Sequence, residues 1–340
     1  MNSPPSISFV CCVESGILES LTVRMIESLR RWGGSFAGAP VFAVTPRHGP
    51  KLAHETLKRF EHLEVRYLYQ PEESSFSWFQ YYNKPVALAA AEKVADTKTV
   101  AWLDSDMLIV REPEALHLED GVEFAACVSA KEMGTCGPDD PFEPLWQANC
   151  RALGIDIESL PWVVSEPERL RMRLYWNSGI FAYQRSKMLG WHFLDTCTKL
   201  MRAQNGIADK SFAISFNEMG ALGLAMHATG LRWRELPHSH NHNINKRSHP
   251  RLYREDEFRA ACVIHHHDSM LPDFWDTFLQ CFQTTHPPVG YWLSGLGPLR
   301  NETPFINRLL GKALRASRDR KERAYISSCR IIAPATFARN

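Results

Sequence analysis

Hydrophobic and polar positions in the first hundred residues alternate between two periods. Ile7 to Val13 is a short apolar run of strand type. After Glu14-Ser15-Gly16, the apolar positions Leu18, Leu21, Met25, Leu29 and Trp32 follow helical spacing until Gly33-Gly34 stops it. Pro40 to Thr45 predicts a second strand, Lys51 to Glu61 a second helix and Val65 to Tyr69 a third strand. This alternation predicts an α/β fold, a Rossmann-like, mostly parallel sheet flanked by helices. Asn83-Lys84-Pro85 opens an Ala-rich helix to about Ala95, with Pro85 where its missing N–H does no harm. Thr99 to Leu103 is the next strand and ends in Asp104-Ser105-Asp106. Two carboxylates are thereby expected at the C-terminal edge of a strand, where open α/β sheets bind ligands.

Further along, Val122 to Val128 and Leu174 to Tyr183 read as strands, separated by a Gly/Pro/Trp-bearing stretch, Gly134 to Trp162, expected to pass over the site. Phe212 to Thr229 has helical spacing, His238 to His249 is polar loop, and Ala260 to His265 reads as a late strand delivering His265-His266-His267. Residues 1 to 299 form the main domain, and 300 to 340 a basic helical C-terminal tail.

The 340 residues carry 39 Lys+Arg and 38 Asp+Glu, a formal charge of +1 that implies no bulk electrostatic partner and no nucleic acid. The balance is a cancellation: the tail holds 10 basic and 3 acidic residues, leaving 29 basic against 35 acidic in residues 1 to 299. Phe305, Ile306, Leu309, Leu310 and Leu314 give the tail an apolar side. Two readings follow, peripheral contact with an anionic membrane or a helix packed on the core with its cations in water. No apolar run reaches the roughly 20 residues that span a bilayer. The N-terminus reads as no secretory signal, and nine cysteines without a CxxC pair predict a reducing, cytoplasmic setting.

An Asp-x-Asp is weak by itself, since 14 Asp in 340 residues give about half an occurrence by chance. Its place at a strand end strengthens it: a divalent cation bridging the two carboxylates to a diphosphate relieves their repulsion. Mg²⁺ or Mn²⁺ takes oxygen ligands, and Mn²⁺ also accepts imidazole. Nine of the 14 histidines lie between His227 and His286. His265 ends an apolar run as the Asp pair does, so adjacent parallel strands are expected to bring it to the same edge, with His267 sharing its face. His238, His240 and His242 lack the partner spacing of a zinc site and read as loop histidines.

Taken in order, Glu14-Ser15-Gly16, Asn83-Lys84, Val100-Ala-Trp-Leu-Asp104-Ser-Asp106, Tyr175-Trp-Asn177-Ser178-Gly179 and the His265 strand end resemble nucleotide-diphospho-sugar transferases of the GT-A fold. The order is similar to the glycogenin and galactosyltransferase branch, over about residues 7 to 270. The resemblance implies a hexosyltransferase moving a sugar from a nucleotide-sugar, UDP-sugars favoured, to an acceptor hydroxyl. It implies nucleotide contacts from Glu14, Ser15 and Gly16, donor contacts from Asn83, Lys84 and Ser105, and a sugar pocket lined by Asn177 and Ser178. Mn²⁺ or Mg²⁺ would sit on Asp104, Asp106 and His265, and Glu218 would be the catalytic carboxylate, with Asp209 as runner-up. Met219 stands where the family often has Gln, and His266-His267-Asp268 replaces its Gly and Lys-Pro-Trp after the histidine. Those departures keep a non-catalytic nucleotide-sugar-binding scaffold in view. A phosphohydrolase of haloacid-dehalogenase type is disfavoured because Met107-Leu108 follows the motif where Gly-Thr is usual, and no later Gly-Asp-x-x-x-Asp pair is present.

Overall fold

The computed structural model describes residues 6–333 except 167, 209–213, 215, 248, 250–252 and 302. In chain order, β1 (Ile7–Cys12), α1 (Ile17–Trp32), β2 (Val41–Thr45), α2 (His54–His62), β3 (Val65–Tyr69), α3 (Asn83–Glu92) and β4 (Thr99–Leu103) form the expected alternation. They are followed by β5 (Met107–Ile109), β6 (Phe124–Val128), α4 (Glu143–Leu153), the β7–β8 hairpin (Trp162–Val164 and Arg171–Arg173), β9 (Trp176–Gln184) and α5 (Leu189–Ala203). Next come β10 (Asn205–Ile207), α6 (Phe216–Ala228), β11 (Trp233–Glu235), β12 (His242–Asn243), α7 (Glu255–Ala260) and β13 (Val263–His265). The chain closes with α8 (Trp275–Thr285), α9 (Pro287–Leu296), α10 (Phe305–Ser328) and β14 (Arg330–Ala333).

Seven strands build the central sheet in the order β11-β6-β9-β4-β1-β2-β3, all parallel except β9, which runs antiparallel to both neighbours. Because side chains alternate along a strand, each strand feeds two cores. Val10, Phe42, Val44, Val100, Trp102, Phe181 and Tyr183 pack on one face with α3 and α5. Phe9, Cys11, Val41, Ala43, Ala101 and Leu103 pack on the other with α1. Every residue of α3 is buried, which its Ala run permits by letting the helix lie close between the sheet and α5. Chain order reverses between β1 and β4, so their C-terminal ends open the crevice that such sheets use for ligands.

One expectation is corrected here. His265 does not arrive on a strand parallel to β4: β13 lies in a separate three-stranded sheet and pairs antiparallel with β5, the strand directly after the Asp-x-Asp turn. The physical route is a reversal, with His265 opposite Met107 and the His266 N–H donating to the Asp106 carbonyl at 3.0 Å. The stretch from Gly134 to Trp162 carries a helix, α4, which packs on α5 and on the β10–β14 pair. Asp209 lies outside the described residues.

The tail is joined to the body at both ends of α10. Tyr325 is buried beside Trp78 and Phe76 and donates to the Met201 carbonyl at 2.6 Å, while β14 pairs parallel with β10. Near its start, Asn307 Nδ2 donates to the Lys51 carbonyl at 3.1 Å and lies 3.4 Å from Ser15 Oγ. The inner face consists of Asn307, Gly311, Leu314, Arg318 and Tyr325, whereas Phe305, Ile306, Leu309 and Leu310 point outward. The tail thus docks on the body through a mixed face that includes Leu314 and Tyr325, while the apolar residues of its first two turns stay outside. Among the described residues no helix is long and apolar enough to cross a membrane. Replacing Tyr325 by Ala removes the aromatic anchor and is expected to cost about 3 kcal/mol. Chemical denaturation should show that loss, and limited proteolysis should cut within α10 faster than in the wild type.

Candidate active site at the C-terminal edge of the sheet

At the end of β4 the chain turns sharply, the Met107 N–H donating to the Asp104 carbonyl at 3.1 Å, and the two carboxylates part company. Asp104 Oδ1 accepts from the Trp102 indole at 2.7 Å and lies 3.1 Å from Lys84 Nζ. Asp106 Oδ2 lies 3.3 Å from His265 Nε2 and 3.6 Å from His267 Nδ1. Ser105, between them, turns inward and donates to the Cys12 carbonyl at 2.7 Å, tying the motif to the end of β1.

Lys84 enters from the first turn of α3 and is buried. Its ammonium donates to Ser178 O and Ser178 Oγ, both at 2.8 Å, and pairs with Asp104 and with Glu218 Oε1 at 3.2 Å. Burial by itself would lower its pKa, but the facing carboxylates of Asp104 and Glu218 outweigh that and raise it. Glu218, 2% exposed in the first turn of α6, also accepts from Ser178 Oγ at 3.1 Å. Burial raises its pKa, with Lys84 opposing.

The two metal-type histidines are held alike. His265 Nδ1 meets Asn241 Oδ1 at 3.0 Å and His267 Nε2 meets Asn243 Oδ1 at 2.9 Å. Each ring thus spends one nitrogen on an amide and presents the other toward Asp106, an arrangement that orients a ligand and fixes its tautomer. Asp106, His265 and His267 place ligand atoms within 4.8 Å of one another, and one carboxylate with two imidazoles is a donor set Mn²⁺ accepts. Burial would push Asp106 up and His265 down; their mutual attraction wins for both, holding Asp106 well below the carboxylate range and raising His265. Gly179 leaves little room at this point: a Cβ there would lie 3.1 Å from His265 Cε1 and 2.6 Å from the end of the Met107 side chain, so both would have to shift.

Glu14, at the end of β1, forms an ion pair with Arg47 and accepts from Asn83 Nδ2 at 2.8 Å. Gly16 takes φ +126°, which favours glycine, and its N–H is capped by Glu19 at 3.0 Å. Glu14, Ser15, Thr45 and Arg47 face Gly311, Leu314, Arg315 and Arg318 of α10 across a cavity of about 150 Å³. A larger cavity, about 480 Å³, opens at the opposite edge of the sheet around Ser6, Thr99 and Arg185, away from these carboxylates and histidines. Asn177 accepts from the Gly179 N–H at 2.8 Å beside the site. Sequence reasoning missed Arg47, Asn241, Asn243 and the tail arginines. The alternation of His and Asn over His238-Ser-His240-Asn241-His242-Asn243 was the available signal for the asparagines, because period two separates two faces.

Residues 9–230 match the model of the Rhodobacterales glycosyltransferase domain. The chain belongs to that family and is a glycosyltransferase. No curated protein matches it in sequence. Similar solved structures include the bifunctional glycosyltransferase WbbM in its apo form, at 11% identity and TM-score 0.46, covering 84% of this chain and 50% of that one. Mouse xyloside xylosyltransferase 1 gives 12% and 0.42, covering 78% and 98%. The galactosyltransferase LgtC with donor and acceptor sugar analogs gives 11% and 0.43, covering 82% and 96%. The chain spans about half the length of the WbbM chain.

Replacing Lys84 by Met leaves two carboxylates facing each other in a buried site. The expected loss is about 3 kcal/mol or more, read by urea denaturation at pH 7, with part of it restored when Glu218→Gln is added.

Proposed function

We propose that the enzyme is a metal-dependent GT-A glycosyltransferase that moves a hexose from a nucleotide-diphospho-sugar, a UDP-sugar in our reading, to an acceptor hydroxyl. The observation that supports it most is the convergence of Asp106, His265 and His267 beside the Asp104–Lys84–Ser178–Glu218 network at the end of β4. Asp106, His265 and His267, with Asp104 at their side, would hold a divalent cation, Mn²⁺ in preference to oxygen-seeking Mg²⁺ because two of the three are imidazoles. A bound cation supplies Lewis-acid stabilisation to the leaving diphosphate.

The chain's own groups do the rest. Glu14, set by Arg47 and Asn83, and Ser15 offer polar atoms at the end of β1 for base and ribose, with Gly16 shaping the turn. Lys84 fixes Asp104 and Ser178 in one arrangement, so the sugar pocket is formed before donor arrives. Asn177 and Ser178 line that pocket. Glu218 carries negative charge beneath it and is the carboxylate placed to offset positive charge developing on the sugar ring. The acceptor hydroxyl attacks the anomeric carbon as the diphosphate leaves; the branch resembled retains configuration.

The tail adds a place of work. Phe305, Ile306, Leu309 and Leu310 are 65%, 69%, 51% and 52% exposed on the outer face of α10, flanked by exposed Arg308, Lys312 and Arg315. An apolar strip rimmed by cations fits an anionic lipid surface, into which the strip would sink while the cations meet headgroups.

Three measurements test these readings. In a screen of UDP- and GDP-sugars with Mn²⁺, one donor class should raise the melting temperature and release nucleotide, and Asp106→Asn should abolish both; no shift with any donor would overturn the donor-site assignment. Glu218→Gln should leave donor KM within about threefold and lower kcat by about 10² or more. Vesicles with anionic lipid should sediment the full chain, and Ile306→Ser with Leu309→Ser should release it; equal binding by the variant would dismiss docking through this face.

A further inference from the structure

The His238–His249 segment is more than polar loop. Its centre, β12, pairs parallel with β13, so successive side chains leave on opposite sides. Asn241 and Asn243 go to the active-site histidines. His242 goes the other way, to a 4% exposed position where its ring lies edge-on to Phe258 at 5.6 Å. His238, in the short turn before β12, brings its ring centroid within 5.6 Å of His242 at an interplanar angle of 67°. Glu257 reaches in from α7, and His238, His242 and Glu257 place one ligand atom each within 4.8 Å of one another. His240 stays outside this group, its Nε2 lying 3.3 Å from the Ala115 N–H.

We infer that His238, His242 and Glu257 form a second metal site, distinct from the Asp106 cluster, whose preferred ion is zinc. Nδ1 of His242 is buried with no hydrogen-bond partner, an arrangement that costs free energy unless something accepts its lone pair. Two imidazoles and one carboxylate are a zinc donor set that leaves a fourth position for water. Two imidazoles bound to one ion at about 2.0–2.1 Å in a tetrahedral array have ring centroids about 5 Å apart, close to the spacing found. Burial, reinforced by His238 and His286, pushes the His242 pKa down to about 4. Oxygen-seeking Mg²⁺ and Ca²⁺ fit a site with two imidazoles poorly.

Such an ion would clamp the turn before β12 to α7. Because Asn243 lies in β12 and Asn241 directly precedes it, the clamp would also hold the amides that orient His265 and His267; this consequence rests on the function proposed above, whereas the site itself does not.

The test uses the full chain carrying Asp106→Asn and His265→Gln, which disables the first cluster without touching the second. After chelator treatment it is titrated with Zn²⁺ alone, passed through gel filtration and assayed for metal content and melting temperature. The expected result is about one zinc per chain, a raised melting temperature, and an X-ray absorption spectrum with two imidazoles and no sulfur. Glu257→Gln, at an exposed position that leaves folding intact, should weaken zinc binding by at least tenfold, and His242→Gln should abolish it. His249→Gln, in the same segment but outside the cluster, should change nothing. No retained zinc, a sulfur-bearing spectrum, or zinc binding indifferent to Glu257→Gln would overturn the proposal, whatever the donor screen shows.

Discussion

The buried Lys84 ammonium is the interaction on which the candidate active-site edge depends. It lies at the meeting point of three chain segments that are far apart in sequence: the end of β4 through Asp104, the start of β9 through Ser178, and the first turn of α6 through Glu218. A lone cation or carboxylate in such a place would be expelled or neutralised. One cation between two carboxylates, with a hydroxyl and a carbonyl completing its donors, is tolerated because each charge has a partner. The same low dielectric that makes the arrangement costly to break makes it rigid, and rigidity is what a transfer reaction in competition with water requires.

Around that centre, negative charge is divided between two jobs. Asp104 is committed to Lys84 and Trp102, while Asp106 is turned to the histidines. The division follows from the turn between β4 and β5: Ser105 is drawn inward to the Cys12 carbonyl, so its two neighbours are splayed apart. A motif that reads as a symmetric pair is thereby asymmetric in space. The arginines of α10 beside Glu14 and Arg47 place positive charge against residues 1 to 299, whose own balance is acidic.

Much of the fold was legible. Strand and helix periods from Ile7 to Leu103 anticipated β1 to β4 within a few residues, because alternation between two cores leaves a clear pattern in short strands. The Ala-rich run, the Asp pair at a strand end and the meeting of Asp106 with His265 were also legible. What escaped were partners set by reversal and by distance. The antiparallel return of β13 onto β5 cannot be read from an apolar run alone, since both directions of pairing present the same side-chain alternation. Arg47 carries no motif; it matters because β2 ends beside β1 and so meets Glu14. The tail's apolar positions were read as a helix face without a side, and only its packing through Gly311, Arg318 and Tyr325 shows that Phe305, Ile306, Leu309 and Leu310 face away.

The sequence by itself determined the α/β layering, the edge at which chemistry gathers and the residue types that gather there, because those follow from local hydrophobic period and from strand ends. Tertiary structure decided which carboxylate faces the histidines, which buried acid balances Lys84, and that His238, His242 and Glu257 converge on the side of β12 away from the Asn243–His267 contact. Those are long-range pairings, selected by which groups can be desolvated together.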